Sequence, residues 1–340
     1  MTDLPSLRSA FLTASGWGAA RMTDLAGDAS NRKYFRLTHE GRRAVLMDAP
    51  PDKGEDIGPF MAVTDVLSAQ SLSAPEVLAA DQNAGFLLLE DLGDDLFARV
   101  LAAEPHKERD LYEAATDVLI HLHQAECPTD LAEYDAPLMA DLAALAFDWY
   151  AQGATGQDFT DQRTAFARAV EDRLAELDDL TDVLVQRDYH AENLLWLPAR
   201  TGVARVGLLD FQDAMKGHRA YDLVSLLQDA RRDVSLDVEK AMIAHYVTVT
   251  GLGRIAFERA YALLGLQRNL RIIGVFARLC LRDRKPHYID MIPRVWAHMV
   301  RDRNMANLPK LETDILNTLP PPSADTLNIL SQKCGTLPDQ

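Results

Sequence analysis

The sequence predicts an α+β fold with two lobes: a small strand-rich N-lobe at residues 1–90 and a larger helical C-lobe at 91–318, followed by a tail at 319–340. Three observations support this prediction. With 340 residues the chain exceeds the ~100–200 residues of one ordinary domain. Short apolar runs between turn residues, typical of strands, lie within the first 90 residues. From residue 108 onward apolar residues recur at spacings of three and four, which is typical of core helices.

The charge balance of the chain disfavours some classes of partner, and its cysteine content indicates the cell compartment. Asp and Glu number 51 and Lys and Arg 35, and the net charge of −16 disfavours binding to nucleic acid or to anionic membrane surfaces. Cys127, Cys280 and Cys334 form no C-x-x-C pair, so neither a disulfide framework nor a zinc site is expected. No signal-peptide pattern opens the chain, and no window reaches the ~20 apolar residues of a membrane span. We therefore expect a soluble, cytoplasmic protein with a small-molecule partner, whose oligomeric state is left open.

Helix and strand signals alternate through the N-lobe. Residues 3–16 have apolar side chains on one face of a short helix. A polar stretch after Leu25 leads into a strand that ends at Leu37, and a turn at 38–41 joins it to a strand at 44–47 as a hairpin. The remaining elements predicted in this lobe are a helix at 57–70 and a buried strand at 86–89.

The turn before this hairpin is a candidate for nucleotide binding. It contains Gly27, Ser30, Asn31 and Arg32, which are able to turn backbone and side-chain donors toward phosphates. A single glycine is far from a G-x-G-x-x-G motif, so a tight hairpin turn is the alternative interpretation of this stretch on its own.

The connector after the strand at 86–89 is a second candidate. Glu90 and Leu92 lie where a small lobe passes into a large one, and their backbone groups are able to pair with an adenine edge. An ordinary strand-to-helix junction is the alternative.

The C-lobe is predicted to be helical. One amphipathic helix carries His121 and His123 near its end, and its apolar stripe makes both histidines structural rather than ligands. Residues 215–220 are predicted to form a loop, and Asp222 is expected to cap or brace the loop that contains Asp188. The other predicted helices lie at 136–150, 162–180, 236–252, 255–274 and 289–305, and the tail is expected to add one short helix.

Three oxygen-bearing side chains stand out between residues 183 and 213. Asp188 follows an apolar run at 183–185, Asn193 comes five residues later, and Asp210 closes a second apolar run at 206–209. In phosphoryl transfer one Asp accepts the proton of the attacking hydroxyl, while an Asn and another Asp hold Mg²⁺ against nucleotide phosphates. Turn and capping roles explain each residue alone but not the joint spacing. The order R-D-x-x-x-x-N followed by L-D-F matches the catalytic and metal-binding loops of kinases.

One expected residue is missing from this pattern. A kinase carries a lysine near the end of an early strand to bind phosphates, and here that position is Met47. A nearby cation is able to replace it, and the candidates are Arg32, Lys33, Arg43 and Lys53. The alternative is a site that relies more on the metal ion and on backbone donors, and the sequence leaves this choice open.

The motif at 187–213, the turn at 27–32 and the connector at 87–93 together resemble the aminoglycoside phosphotransferase family of kinase-like enzymes, over roughly residues 20–310. The resemblance implies a bilobed protein-kinase-like fold, with ATP as phosphoryl donor and Mg²⁺ as metal ion. It also implies that Asp188 is the catalytic base. The family's usual His-Gly-Asp is replaced here by Gln186-Arg187-Asp188. This difference indicates another branch of the family and leaves the implied roles of the site residues unchanged.

Finer stretches are similar to one branch, the bacterial kinases that phosphorylate the anomeric hydroxyl of N-acetylmuramate and N-acetylglucosamine in cell-wall recycling. In that branch the methionine in place of lysine is a shared trait. The similar stretches are 27–36, 47–51, 210–214, 221–227 and 273–279.

The charge of one stretch of the chain indicates what kind of acceptor the protein binds. Residues 268–303 contain nine Lys and Arg but only three Asp, in an otherwise acidic chain. Positive charge suits an anionic acceptor such as the lactyl carboxylate of N-acetylmuramate, and the candidate acceptor-binding residues are Asp213, Arg271 and Arg278. A helix surface paired with acidic neighbours is the alternative.

Two other functions stay open at this point. One is phosphorylation of a different hydroxyl acceptor: an aminoglycoside, choline, ethanolamine or a hydroxy amino acid. The other is a catalytically silent nucleotide-binding protein, which the missing lysine favours and the presence of Asn193 and Asp210 opposes.

Overall fold

The computed structural model of the protein describes residues 4–25, 31–177 and 180–337. Its contacts divide the chain into two compact units. The first comprises the chain up to Leu122 together with Ala191–Ala214, and the second comprises His123–His190 and the chain from Met215 onward. The chain therefore enters the first unit twice. These contact-defined boundaries differ from the division at residues 90 and 318, which remains a prediction about domains.

The described part of the chain contains one five-stranded and two two-stranded sheets. Their strands are β1 (Arg21–Leu25), β2 (Lys33–His39), β3 (Arg42–Asp48), β4 (Val77–Asp81), β5 (Phe86–Glu90), β6 (Thr181–Val185), β7 (Leu194–Trp196), β8 (Val206–Leu208) and β9 (Met215–His218). The large sheet of the first unit is antiparallel, in the order β1-β2-β3-β5-β4. Strand β7 pairs with β8 in the first unit, and β6 pairs with β9 in the second.

Helices α1 to α4 belong to the first unit and α5 to α13 to the second. Their bounds are α1 (Leu4–Ala14), α2 (Gly58–Ala69), α3 (Phe97–Ala103), α4 (Glu108–Leu122), α5 (Ala136–Leu145), α6 (Gln152–Thr155), α7 (Thr160–Ala175), α8 (Tyr221–Leu227), α9 (Leu236–Thr250), α10 (Arg254–Leu281), α11 (Ile292–Met305), α12 (Lys310–Leu316) and α13 (Ala324–Gln332). Short 3₁₀ segments occupy Pro51–Lys53, Pro105–Lys107, Gly202–Arg205 and Pro286–Met291. The strand-rich first part and the helical remainder confirm the predicted fold class.

The large sheet has an apolar face and a face that carries polar side chains. Successive side chains of a strand point to opposite faces. Phe35 and Leu37 of β2 therefore join a core that includes Phe11 of α1 and Phe86 of β5. Tyr34 precedes Phe35 in sequence and projects from the other face, directly opposite Met47 of β3. The hairpin of β2 and β3 confirms the prediction, whereas β1 and β4 were not predicted.

The returning segment at 191–214 is tied to the first unit through its backbone. The N–H of Leu208 donates to Ser73 O at 2.9 Å, and the N–H of Trp196 donates to Asp95 O at 2.7 Å. At the start of the segment, Ala191 O accepts from the N–H of Ala98 at 3.1 Å. These long-range hydrogen bonds fix the β7–β8 hairpin, which carries two of the predicted site residues at its ends.

The structure corrects several predicted boundaries in the second unit. The loop predicted at 215–220 begins with strand β9, because these residues gain ladder hydrogen bonds by pairing with β6 more than thirty positions earlier. The helix predicted at 136–150 ends at Leu145 and passes into a π-helical turn at Ala146–Ala151. The stretch between the helices predicted at 136–150 and 162–180 contains the short helix α6. Helix α13 confirms the short helix expected in the tail.

The two histidines near residue 122 have structural partners, as predicted. His121 Nε2 lies 2.9 Å from Gln70 O in the first unit. His123 Nδ1 lies 2.7 Å from the hydroxyl of Tyr246 in the second unit, and burial lowers the pKa of His123 to about 3. Both rings therefore stabilise the fold.

Helix α10 is the longest helix of the second unit and continues past the predicted end at residue 274. Gly274 lies against the backbone of Leu145 at the end of α5, so closely that a Cβ at this position would overlap the Leu145 carbonyl group. The small residue lets the two helices approach each other. Despite the length of α10, none of the described helices is long and apolar enough to cross a membrane.

Replacing Gly274 by alanine tests this close approach. In an open helix Gly→Ala raises stability by roughly 0.5–1 kcal/mol. Here we expect the opposite, a loss of about 1–3 kcal/mol in the free energy of unfolding, because the methyl group overpacks the contact with Leu145. Gly58→Ala is the control, since a Cβ there meets only the flexible carboxylate of Asp56, at 3.2 Å. Equal stability of both variants in chemical denaturation would contradict the tight packing at Gly274.

Candidate active site

Asn193 and Asp210 face each other at the open end of the β7–β8 hairpin in the first unit. Antiparallel pairing sets Leu194 opposite Leu208, and the N–H of Leu209 donates to Asn193 O at 2.9 Å. Asn193 Nδ2 consequently lies 3.4 Å from Asp210 Oδ2. A half turn of the amide exchanges its nitrogen and oxygen, so the pair is able to offer a carboxylate and a carbamoyl oxygen to one cation. The structure brings these two predicted residues together.

The backbone of Asp210 is held in a conformation that a non-glycine residue seldom adopts. Its φ angle is 59°, in the left-handed region. The next residue, Phe211, is buried and stacks on Phe60 of α2 with ring centroids 5.0 Å apart. Gln212 Nε2 donates to Asp210 Oδ1 at 2.9 Å. The neighbours of Asp210 thus determine where its carboxylate points.

Asp188 belongs to the second unit, in a loop that Asp222 fixes. Asp222 accepts from the N–H groups of Gln186 and Arg187 at 2.6 and 2.9 Å. Arg187 also has a left-handed φ of 71°, and its carbonyl oxygen accepts from Ser225 Oγ at 3.3 Å. Burial raises the pKa of Asp222 to about 7 against the effect of the two N–H donors. The structure confirms the bracing role predicted for Asp222.

Nearby arginines keep Asp188 ionised. Burial alone would raise the pKa of this carboxyl, but Arg271, followed by Arg268, His190 and Arg187, holds it below the ordinary value. The carboxylate is therefore charged at neutral pH and able to accept a proton. Sequence reasoning missed Arg268, whose only signal was its place in the basic stretch at 268–303.

Arg271 and Arg278 lie on one face of α10, because seven residues are close to two helical turns. The Arg271 guanidinium donates to the hydroxyl of Tyr221 at 3.1 Å. Arg278 is half-buried, and its Nε finds no acceptor among the residues that the structure describes. Burial and the charges of Arg282 and Arg271 lower the pKa of Arg278. A cationic face with an unused buried donor therefore lies in the same unit as Asp188.

The predicted turn at 27–32 is described only in part. Gly27 and Ser30 lie outside the described residues. Asn31 and Arg32 are both held by Glu55, whose Oε1 accepts the N–H of Asn31 at 3.1 Å and whose Oε2 accepts Arg32 Nε at 2.7 Å. Sequence reasoning missed Glu55, because it comes more than twenty residues later in an irregular stretch without a local motif.

The connector after β5 has one backbone group already used and one available. The N–H of Glu90 donates to Glu76 O at 2.9 Å, and the Glu90 carboxylate binds Arg200. Within the described ranges no hydrogen bond is made to the backbone of Leu92. Both residues border a cavity of about 430 Å³ that Trp196 also lines. Of the two predicted contacts, Leu92 retains the free donor.

Asp213 belongs to a different compact unit from the other two predicted acceptor-binding residues. It belongs to the first unit, where it is exposed and contributes to the raised pKa of Arg32. Arg271 and Arg278 belong to the second. Asp213 therefore acts electrostatically on the turn at Asn31 and Arg32.

Comparison with known proteins shows the family of this chain. The family described as Phosphotransferase enzyme family matches residues 21–257. A protein from Caulobacter vibrioides named N-acetylmuramate/N-acetylglucosamine kinase is 41% identical, with 88% of this chain and 92% of the relative covered. A protein of the same name from Pseudomonas aeruginosa is 34% identical, covering 93% of this chain and 95% of the relative.

Solved structures agree with the fold. A choline/ethanolamine kinase family protein from Mesorhizobium loti has a TM-score of 0.57 at 14% identity, covering 97% of this chain and 100% of the other. The ADP-bound aminoglycoside phosphotransferase APH(2'')-Ib has a TM-score of 0.58 at 16% identity, covering 85% and 95%. At these identities the similarity concerns the fold alone.

Replacing Asp222 by asparagine tests the brace. An amide accepts from one of the two N–H groups and turns its own N–H toward the other, so we expect a loss of about 1–3 kcal/mol in the free energy of unfolding. Asp233→Asn is the control, because Asp233 is exposed and its ion pair with Arg294 is screened by water. Chemical denaturation of both variants measures the difference. A loss for Asp222→Asn no greater than that of the control would contradict the bracing role.

Proposed function

The chain belongs to the phosphotransferase enzyme family, and on this basis we propose that it transfers the γ-phosphoryl group of ATP to the anomeric hydroxyl of N-acetylmuramate and N-acetylglucosamine. The observation that carries the proposal is the ionised, half-buried Asp188 beside Arg271, on whose helix the buried Nε of Arg278 has no hydrogen-bond partner among the described residues. This set provides a base and an anion-binding face in one unit. The names of the two relatives support the choice of acceptor.

Asp188 is the general base of the proposed reaction. Its carboxylate accepts a hydrogen bond from the anomeric hydroxyl and then takes the proton. The sugar oxygen bonds to the γ-phosphorus as the bond from that phosphorus to the β,γ-bridging oxygen breaks, and ADP leaves with the electron pair. The brace by Asp222 keeps the carboxylate in place, because it fixes the two backbone groups that precede Asp188.

Asn193 and Asp210 are the proposed ligands of Mg²⁺. A carboxylate beside a carboxamide fits an ion that takes one or two protein oxygens and fills its other positions with water and phosphate oxygens. When bound, Mg²⁺ neutralises charge on the phosphates. Gly27, Ser30, Asn31 and Arg32 are the proposed phosphate-facing turn, and Glu90 and Leu92 border the proposed adenine position.

Arg271 and Arg278 are proposed to bind the acceptor. The lactyl group of N-acetylmuramate carries a carboxylate, and a guanidinium binds a carboxylate through charge-assisted hydrogen bonds. Choline and aminoglycosides are cations, which this face would repel. N-acetylglucosamine lacks the carboxylate, so its binding depends less on Arg278.

The proposed setting is the cytoplasm, where ATP is available and sugars released from peptidoglycan are reused. Cys127, Cys280 and Cys334 are free thiols, which suits a reducing compartment. No partner protein is needed for the chemistry proposed.

A panel of acceptors tests the proposal directly. Purified protein with ATP and Mg²⁺ is offered N-acetylmuramate, N-acetylglucosamine, kanamycin, choline and homoserine, and ADP release is followed. We expect turnover of the two amino sugars, and turnover of only kanamycin, choline or homoserine would overturn the acceptor assignment.

The Arg278→Met variant tests whether Arg278 binds the carboxylate of N-acetylmuramate. We expect kcat/KM for N-acetylmuramate to fall by about tenfold or more, the value of one charged hydrogen bond, with a change of less than about threefold for N-acetylglucosamine. Arg254→Met removes an exposed charge from the same helix and should change neither value.

Asp188→Asn tests the base. The substitution keeps the volume of the side chain and removes the proton acceptor, so we expect kcat to fall by roughly 10²–10⁴-fold while ATP affinity changes little. The loss should lie toward the low end, because an anomeric hydroxyl is more acidic than an ordinary alcohol. Asp182→Asn is the control, since this half-exposed carboxylate of β6 pairs with Arg219. A kcat for Asp188→Asn within about threefold of wild type, far outside the range for a general base, would reduce Asp188 to a loop residue.

A further inference from the structure

The phosphate-binding lysine expected of a kinase is absent from β3, and the structure fills its position with an apolar side chain. Met47 is fully buried. It lies opposite Tyr34 of β2 on one side and Leu87 of β5 on the other. Since this position offers no charge, a cation that binds nucleotide phosphates has to come from another residue.

The four nearby cations differ in the carboxylates on which their charges act. Arg43 is half-exposed and pairs with Asp91 in the connector after β5, at 3.5 Å. Burial raises the pKa of Asp48, and the charges of Lys33 and Lys53 act on that carboxyl to lower it. The charge of Arg32 interacts with Asp213, in the loop that contains Asp210.

Arg32 is fixed at two points on the first unit. Its Nε donates to Glu55 Oε2 at 2.7 Å, and both side chains are mostly buried. A second hydrogen bond joins Arg32 to the phenol of Tyr34, the residue opposite Met47. The guanidinium therefore lies next to the sheet position from which the lysine is missing.

The charge of Arg32 is directed at the loop of the metal pair. Burial opposes the charge, but Tyr34, Glu55 and Asp213 together raise the pKa of Arg32. The pKa of Tyr34 is raised to about 12, mainly by burial; the charge of Asp210 contributes to this rise and Arg32 opposes it. Arg32 and Tyr34 thus act on the loop at 210–213, where nucleotide phosphates bound through a metal at Asp210 would concentrate negative charge.

We propose that Arg32 is the phosphate-binding cation of this protein, and that Glu55 and Tyr34 are positioning residues that hold it opposite Met47. The proposal rests on ATP as donor in the proposed function. Kinases hold the corresponding lysine with a glutamate from a helix, and here Glu55, just before α2, does the same for an arginine. The planar fork of a guanidinium is suited to two phosphate oxygens at once.

Nucleotide binding without sugar tests the assignment. Arg32→Met should weaken the affinity for Mg²⁺·ATP and ADP by roughly 10- to 100-fold, the range of a charged hydrogen bond, and leave that for adenosine within about threefold. Arg32→Lys keeps the charge and loses the fork, so it should retain part of the affinity. Isothermal titration calorimetry measures each value, and unchanged adenosine binding also reports an intact fold.

Lys33→Met and Lys53→Met are matched controls, because each removes one positive charge near the same turn: Lys33 follows Arg32 in the chain, and the carbonyl oxygen of Lys53 lies 3.5 Å from Asn31 Nδ2. Both should bind ATP within about threefold of wild type, well short of the loss expected at Arg32. Wild-type ATP affinity in Arg32→Met, an equal loss for adenosine, or an equal loss in either lysine variant would overturn the assignment.

Glu55→Gln tests the positioning role. It should weaken ATP binding in the wild-type background and have no further effect in Arg32→Met, since the amide oxygen of glutamine still accepts from the N–H of Asn31 and the lost charge of Glu55 acts through Arg32. Additive losses would contradict that role. Failure of the wild-type protein to phosphorylate amino sugars would refute the proposed acceptor and leave these binding results intact, because no sugar is present in them.

Discussion

The pair of hydrogen bonds from the backbone of Gln186 and Arg187 to Asp222 is the interaction on which the proposed chemistry depends. Arg187 has a left-handed backbone that costs free energy for a side chain with a Cβ. The buried carboxylate of Asp222 offsets this cost because it satisfies two N–H groups at once. The turn is thereby fixed, and the residue that follows it is Asp188. A carboxylate that does not itself react determines where the reactive one lies.

In each unit, neighbouring groups determine the charge or the position of a proposed site residue. In the second unit, arginines keep the half-buried Asp188 ionised, although desolvation alone would raise the pKa of its carboxyl. In the first unit, Asp210 lies beside a neutral carboxamide, and the guanidinium of Arg32 is held by Glu55. Although the chain has a net charge of −16, basic groups lie at the positions where anions are proposed to bind. The net charge disfavours nucleic acid and anionic membranes as partners, whereas the local basic groups suit small anionic ligands.

The sequence predicted those parts of the fold and site that depend on local patterns. The β2–β3 hairpin, the amphipathic helices and the meeting of Asn193 with Asp210 follow from periodicity and from spacing around two short strands. Strand β9 was missed because its residues become a strand only by pairing with β6. Glu55 was missed for the same reason, since its partners at Asn31 and Arg32 are distant in sequence. A short stretch of sequence does not reveal the contacts that its residues make with segments distant in the chain.

A crystal structure with Mg²⁺, a non-hydrolysable ATP analogue and N-acetylmuramate is the most direct test of the central claim, that Asp188 is the base and that Asn193 and Asp210 hold the metal. The account predicts Mg²⁺ about 2.0–2.1 Å from an oxygen of each of the latter two residues. It also predicts the anomeric hydroxyl of the sugar about 2.6–3.2 Å from the Asp188 carboxylate. A metal bound by other residues, or a sugar whose anomeric hydroxyl points away from Asp188, would contradict it.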